Sequence, residues 1–420
     1  MNHPAKTFFH IVFLLLALFV VASIYFYYSS QSMPLFAEPP AAKENNPVSL
    51  KSETSAVNTA SQKSDPSDSK KISEAIRRCR ADADPGKCLD IFFREFLKTK
   101  ITAAALYEID ALSQKDESVR LGCHEVVHAI GRETFLKEKT VHDSFAACNQ
   151  TCHSGCYHGA MERFLRGDDD TPAEERAHIS RREIEQKVKG ACASNDPINL
   201  RFQCLHGLGH AVMFYFDYDL KGALLLCSRL DSSWDQSSCY GGVFMENVHS
   251  ATPEKRYLSK TDFHFPCNAI DEKYRSDCYV MQTTRMAEMG LAKAQIIAEC
   301  GKAGTYRLNC LQSLGRDSSN DVRLGKGRVI AELCESVSDV DGKYACMRGA
   351  VFALADNTWD GRYVFPFCRD FVSSIDRQNC FQTGVNYLKS MLLVAEEKLR
   401  KDCVNFASRD LYCLELTGGQ

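Results

Sequence analysis

Apolar positions along this chain fall into two patterns. Near the start, Phe8 to Tyr28 forms one unbroken run of twenty-one residues without a charge. That is long enough to cross a bilayer as a helix. From residue 72 onward, apolar residues recur at helical spacing in short stretches parted by polar turns. Ala223-Leu-Leu-Leu-Cys227 and Gln295-Ile-Ile-Ala-Glu-Cys300 each close such a stretch. Cys239-Tyr-Gly-Gly-Val-Phe-Met-Glu246 and Cys346-Met-Arg-Gly-Ala-Val-Phe-Ala-Leu354 each open one. Turn formers such as Asp231-Ser-Ser233 and Ser338-Asp-Val-Asp341 lie between the closing and opening halves. No convincing strand pattern interrupts them, so the body is predicted to be all-α.

The flanks of the first run set its orientation. Lys6 and the amino terminus precede it, which favours a cytoplasmic segment 1–7, a transmembrane signal anchor 8–28 and an exported body. A cleaved signal is the weaker reading, because the run is long for a signal core and no obvious small-x-small site follows it. Residues 29–71 are rich in Ser, Ala, Pro, Asn and Lys and read as a disordered tether. The expectation is a single-pass membrane protein with residues 72–420 in the periplasm or extracellular space. Its formal charge of −3, from 51 basic and 54 acidic side chains, gives no electrostatic reason to expect a nucleic-acid partner.

Twenty cysteines sharpen the picture. So many suit an oxidising compartment, and the absence of any Cys-x-x-Cys removes the usual zinc-ribbon reading. Spacing pairs Cys79 with Cys88, Cys192 with Cys204, Cys227 with Cys239 and Cys267 with Cys278. It likewise pairs Cys300 with Cys310, Cys334 with Cys346, Cys368 with Cys380 and Cys403 with Cys413. The second members, with Cys123 and Cys156, recur about every 34 residues, as stacked helical hairpins require. In each hairpin the first cysteine ends one helix and the second starts the next, which places both kinds at one edge of the stack. Cys148 with Cys156 copies that pattern, and Cys152 then pairs with Cys123, Cys152–Cys156 being the alternative. The predicted fold is a disulfide-stapled solenoid of about ten hairpins. Each short bond would contribute roughly 2.5–3 kcal/mol in the chain-entropy model.

In period and hairpin form, residues 72–420 resemble the tetratricopeptide and Sel1-like repeat class, especially its secreted, disulfide-stapled members. The resemblance is architectural, since the Trp, Leu-Gly and Tyr positions of a tetratricopeptide consensus are missing. It implies protein binding, here to another envelope protein through the solenoid surface.

Three consecutive second helices carry metal-competent side chains at i,i+4 spacing. They read Cys123-His124-Glu125-Val-Val-His128, Cys156-Tyr-His158-Gly-Ala-Met-Glu162 and Cys204-Leu-His206-Gly-Leu-Gly-His210. Four residues apart is one helix face, so each pair can reach one ion. The equivalents in later repeats are Gln282, Gln312, Arg348 and Gln382, so folding alone does not demand the histidines. The bland alternative is that they are buried polar residues hydrogen-bonded across stacked helices. The expected ligands of a metal site within 123–210 are His124, His128, His158, Glu162, His206 and His210, with zinc or iron as the divalent cofactor. Six ligands suit one or two ions.

His124-Glu125-Val-Val-His128 is also the His-Glu-x-x-His string of zinc metallopeptidases. By that resemblance His124 and His128 bind zinc, Glu125 is the general base, and Glu162 or His158 is the third ligand. A hydrolase is the first functional expectation and a non-catalytic envelope scaffold the second. A third comes from Glu125-Val-Val-His128 and Glu246-Asn-Val-His249, whose Glu-x-x-His spacing, with Glu162 nearby, is that of di-iron carboxylate bundles and implies an oxidoreductase. The step from Cys156 to Cys204 is longer than the others and holds the charged stretch Arg166-Gly-Asp-Asp-Asp-Thr-Pro-Ala-Glu-Glu-Arg176, either a lid or a surface loop. Tyr215, Phe216 and Tyr218 are assigned to the core.

Overall fold

A computed structural model describes residues 66–167, 181–193, 196–250 and 253–418. Among the described residues there are twenty α-helices and no strand, as the sequence led us to expect. The first six are α1 (Pro66–Arg80), α2 (Pro85–Phe96), α3 (Thr102–Lys115), α4 (Glu117–Glu138), α5 (Val141–Ala147) and α6 (Thr151–Arg166). Then come α7 (Arg181–Ala191), α8 (Ile198–Tyr215), α9 (Leu220–Cys227), α10 (Ser233–His249), α11 (Glu272–Tyr279), α12 (Thr283–Glu288) and α13 (Lys293–Cys300). The last are α14 (Arg307–Asp321), α15 (Gly327–Glu335), α16 (Val340–Thr358), α17 (Val364–Arg369), α18 (Ser374–Ser390), α19 (Glu396–Phe406) and α20 (Leu411–Leu416).

Several helices begin where a short polar side chain can take up a free backbone N–H. Asp116 accepts from the Ser118 and Val119 amides at the head of α4, Ser232 from Asp235 at α10, and Asp339 from Gly342 at α16. At Ser232 and Asp339 the turn residues between paired cysteines therefore also start the following helix.

All ten expected cysteine pairs are at bonding distance, with Cα–Cα separations of 5.2–5.8 Å. No free cysteine remains. Cys79 bonds Cys88, Cys148 bonds Cys156, Cys192 bonds Cys204 and Cys227 bonds Cys239. Further along, Cys267 bonds Cys278, Cys300 bonds Cys310 and Cys334 bonds Cys346. Cys368 with Cys380 and Cys403 with Cys413 complete the nine bonds between residues 8 to 12 apart. Only Cys123–Cys152, at a separation of 29, links α4 to α6 across the intervening α5.

Four expectations need correction or limits. The sequence placed both kinds of cysteine at one edge of the stack without assigning their burial, and nearly all of them are buried. Cys278 is 2% exposed, and Cys310, Cys380 and Cys413 are wholly buried. These four, like most of the cysteines, are therefore structural bonds out of reach of solvent. The tether, expected to run to residue 71, ends earlier, because α1 starts at Pro66. Its first turn is polar and reads as linker in sequence, yet Asp68 is buried and pairs with Lys71 and Lys100. The hairpin of Cys267 and Cys278 is irregular: Cys267 lies in a run of turns, and its second helix is split into α11 and α12. The anchor Phe8–Tyr28, residues 1–65 generally and most of the 166–176 stretch lie outside the described residues. Among those described, no helix is long and apolar enough to cross a membrane.

Second helices pack mainly on one another. The most extensive pairs are α4 with α6, α6 with α8, α8 with α10, and α14 with α16. In a strictly linear stack each unit touches only its neighbours. Here α6 also packs on α16, where Tyr157 stacks on Trp359 with ring centroids 6.3 Å apart. The Arg323 guanidinium donates to the Arg120 carbonyl 203 residues away (3.0 Å), and the Asn199 amide donates to the Leu392 carbonyl (3.3 Å). Late helices thus pack against early ones. Apolar cores form at both ends, around Phe93, Ile109 and Ile130 in one and Phe365, Phe367 and Phe381 in the other.

The α4–α6 pair touches backbone to backbone. A Cβ on Gly131 would collide with the Cys156 carbonyl, and one on Gly159 with the His128 carbonyl. Only glycine fits such a contact. Gly159→Ala is therefore expected to cost about 2–3 kcal/mol, a typical overpacking penalty larger than the helix-propensity gain. Gly190→Ala in α7, where an added Cβ meets nothing within 4 Å, should be neutral or mildly stabilising. Urea midpoints of the two variants test this; equal stability would contradict the backbone contact.

Candidate metal centre

Close helix contact carries the histidines inward. Helix α4 supplies His124 and His128, α6 supplies His158, and α8 supplies His206 and His210. Gly155 lets α6 approach, since a Cβ there would strike Val127 and the His128 ring. His128, His158, His206 and His210 are each at most 6% exposed, and His124 is half-buried.

Ring centroids lie 4.4 Å apart for His124 and His128, and 5.5 Å from each of these to His158. His210 follows at 5.5 Å from His128 and 5.3 Å from His158. His206 sits 5.1 Å from His158 and 5.2 Å from His210. Nitrogens of His124, His128 and His158 all fall within 4.8 Å of one another. The two Nε2 atoms of His124 and His128 are 3.0 Å apart. A tetrahedral zinc with bonds of about 2.05 Å holds its nitrogens about 3.3 Å apart, so this pair is already near ligand spacing.

Hydrogen bonds fix which nitrogen faces the cluster in four of the five rings. A carbonyl only accepts, so His124 Nδ1–H donates to the Cys152 carbonyl (2.9 Å) and leaves Nε2 inward. His128 Nδ1–H donates to Glu162 Oε1 (2.6 Å), and His210 Nδ1–H to Glu246 Oε2 (2.9 Å). His158 Nε2–H donates to Gln203 Oε1 (2.9 Å). Two nitrogens left over, His158 Nδ1 and His210 Nε2, are buried without a hydrogen-bond partner. Inward lone pairs in a desolvated core are unfavourable unless a proton or a cation joins them. A carboxylate or carbonyl behind each imidazole is also how metal-binding histidines are usually oriented.

A buried ion network holds these anchors. Arg132 Nη1 donates to Glu162 Oε2 (2.7 Å), and Arg132 Nε donates to Asp90 (2.8 Å). Arg163 donates to Asp90 (3.2 Å) and Glu133 (3.1 Å), and Arg94 also donates to Glu133 (2.8 Å). Burial alone would raise the Glu162 pKa, but His128, Arg132 and their hydrogen bonds hold it well below the usual carboxylate range. Burial likewise works against a charged His128, yet Glu162, with help from Glu125, raises its pKa overall. His124 is pushed well below the ordinary imidazole value by burial and by His128. His158 and His206 are lowered by burial and by the neighbouring imidazoles.

Of the expected ligands, His124, His128 and His158 bring nitrogens within 4.8 Å of one another. His206 and His210 adjoin them, with ring centroids 5.1–5.5 Å from their neighbours, but are not part of that group, and Glu162 changes role. Glu162 does not face the inward nitrogens; it holds His128 from behind while bound to Arg132. Glu246 stands in the same relation to His210, so neither acid is placed as a bridging carboxylate. Glu125 is exposed beside half-buried His124, on the solvent side of the cluster. His249, the last residue of α10, is exposed and is not one of the three imidazoles whose nitrogens converge. Sequence reasoning missed Gln203, Arg132, Asp90 and the Cys152 carbonyl. It also passed over a visible signal, the glycine three residues after the second cysteine. Gly159 follows Cys156 in this way, Gly207 follows Cys204, Gly242 follows Cys239 and Gly349 follows Cys346. Of the aromatics assigned to the core, Tyr215, Phe216 and Tyr218 are not fully buried; Tyr218 packs on Phe214, centroids 5.5 Å apart.

No protein-family model, curated protein or solved structure matches this chain. The site has to be interpreted from its own chemistry.

That chemistry sets a pH dependence. His124, His158 and His206 have folded pKa values below the unfolded value of about 6.5. Below that pH the unfolded chain binds protons that the folded chain refuses, so stability falls on acidification. Each contributes a slope of about 1.4 kcal/mol per pH unit, or about 4 for the three. His128, whose pKa is raised, acts oppositely, and its stabilisation is lost as pH rises through its folded value. Denaturant midpoints should peak near neutrality and drop steeply from about pH 6.5 to 5.5. A flat profile there would contradict the buried neutral imidazoles.

Proposed function

We propose that this chain is an exported metalloprotein, anchored in a membrane by Phe8–Tyr28, whose helical body holds a divalent transition metal among His124, His128 and His158. Its body is read as about ten repeated hairpins whose late members have closed onto the early ones. The observation that carries the metal reading is the convergence of three imidazoles from α4 and α6 within 4.8 Å, each oriented from behind by a carbonyl, a carboxylate or an amide oxygen. Zinc is the first choice and iron the second, because imidazole suits both and the His-Glu-x-x-His string favours zinc.

A bound zinc would supply Lewis acidity and a water of lowered pKa. Residues of this chain do the rest. Cys152 and Glu162 fix the rings of His124 and His128, and Arg132 keeps Glu162 ionised. Glu125, exposed and next to His124 in the chain, would serve as the general base of a hydrolytic reaction, as the His-Glu-x-x-His string implies. A second reading is a static metal clip within a non-catalytic envelope scaffold. It is favoured by the burial of His128, His158 and His210, each 3% exposed, and by the ion network that locks them. Carboxylate-bridged iron draws the least support, because Glu162 and Glu246 both point at Nδ1 atoms.

Elemental analysis of protein purified without chelator or a histidine-rich tag is expected to find about one equivalent of zinc or iron or more. His128→Ala should release most of it. His264→Ala, in a loop where His264 pairs with Glu299, should release none. Glu125→Gln should keep the metal and lose any hydrolytic turnover, which separates enzyme from clip. Metal-free wild type with its disulfides intact would contradict the proposal.

A further inference from the structure

One disulfide and one strained turn meet at His124. Helix α6 opens with three successive non-glycine residues in the left-handed region, Cys152 (φ 55°), His153 (φ 56°) and Ser154 (φ 62°). Each is unfavourable for an L-residue, and such runs persist only where the surroundings force them. The Ser154 hydroxyl is also buried without a hydrogen-bond partner, so the turn is not formed for the sake of its own side chains.

What the turn achieves is the direction of one carbonyl. A right-handed turn would aim the Cys152 carbonyl along α6, toward the amide four residues on. In the left-handed turn that carbonyl accepts from His124 Nδ1–H instead (2.9 Å). The Cys123–Cys152 bond holds the same two places together from the other side, because Cys123 directly precedes His124 in α4 and Cys152 owns the carbonyl. Both cysteines are buried, Cys123 at 1% and Cys152 at 4% exposure. The remaining nine bonds close single short hairpins, and Cys148–Cys156 alone already clips α5 to α6. The α4–α6 link is therefore surplus to hairpin closure and aligned with the ring of one proposed ligand.

We propose that the Cys123–Cys152 disulfide and the left-handed turn Cys152–Ser154 are the positioning element of the metal centre, acting through His124, so that zinc affinity depends on this one bond. This rests on the metal reading above and goes beyond it by assigning one bond of the ten to the site and leaving the other nine to the fold. The half-buried His153 has its ring centroid 6.2 Å from that of His124.

The test is zinc titration of the full-length protein against a competing fluorescent chelator. The double variant Cys123→Ala with Cys152→Ala should bind zinc at least about tenfold more weakly, the usual scale for removing a ligand's outer support. Cys403→Ala with Cys413→Ala, which opens a hairpin at the far end of the chain, should bind within about twofold of wild type. In a His124→Ala background, loss of Cys123–Cys152 should cause no further weakening, since a group that acts through His124 has nothing left to orient. Cys123→Val with Cys152→Ala, which refills part of the lost volume, serves should the double alanine fail to fold. Unchanged affinity without the bond would overturn the inference, as would a loss that persists without His124. Failure of wild type to bind zinc would instead overturn the metal reading itself, and this inference with it.

Discussion

Backbone contact between helices at glycine is the constraint on which the rest of this structure depends. Gly131 and Gly159 each sit against a carbonyl of the partner helix in the α4–α6 pair. Gly209 and Gly242 repeat the arrangement between α8 and α10, and Gly315 and Gly349 between α14 and α16. Helices this close leave no room for apolar side chains between them. Whatever flanks the contact is pressed against the neighbouring helix. In α14 and α16 the flanking positions are Gln312 and Arg348; in α4, α6 and α8 they are imidazoles.

Pressing five imidazoles together out of water is unfavourable unless their polar edges are satisfied. The protein meets half of that demand with its own groups. Cys152, Glu162, Gln203 and Glu246 each accept a hydrogen bond from one ring, and Arg132, Asp90, Arg163 and Glu133 hold the acids in place. The other half is left open, at nitrogens facing one another across 3.0 Å in the His124–His128 pair. A divalent cation satisfies several such lone pairs at once, whereas a proton satisfies two. Removing Arg132 or Asp90 would strand a buried charge, so the network is obligatory once the histidines are present.

Much of this was legible in the sequence, for reasons tied to locality. Cysteines 9 to 12 residues apart across a turn, such as Cys300 and Cys310 or Cys368 and Cys380, can pair with little else. Cys123–Cys152 was the pairing expected for what remained, with Cys152–Cys156 as the alternative. His124, His128, His158, His206 and His210 were visible because i,i+4 spacing fixes a helix face. What a face meets is not local. Glu162 shares the face of His158 and reads as a ligand, but the neighbouring Arg132 and the Nδ1 of His128 claim it. The same limit hid the burial of the disulfides, since spacing says which cysteines pair and not what covers them. The closure of Arg323 onto Arg120 and of Trp359 onto Tyr157 joins distant segments and leaves no periodic trace. The start of α1 at Pro66 was hidden because a helix's first turn is polar, as a linker is.

The central claim is that imidazoles, not sulfur and not carboxylates, make this centre. X-ray absorption of the metal-loaded protein tests it most directly. The expected spectrum shows three or more imidazole nitrogens at about 2.0–2.1 Å from the metal, with the multiple scattering of histidine rings. A shell of sulfur near about 2.3 Å, or one of oxygen alone, would contradict the account.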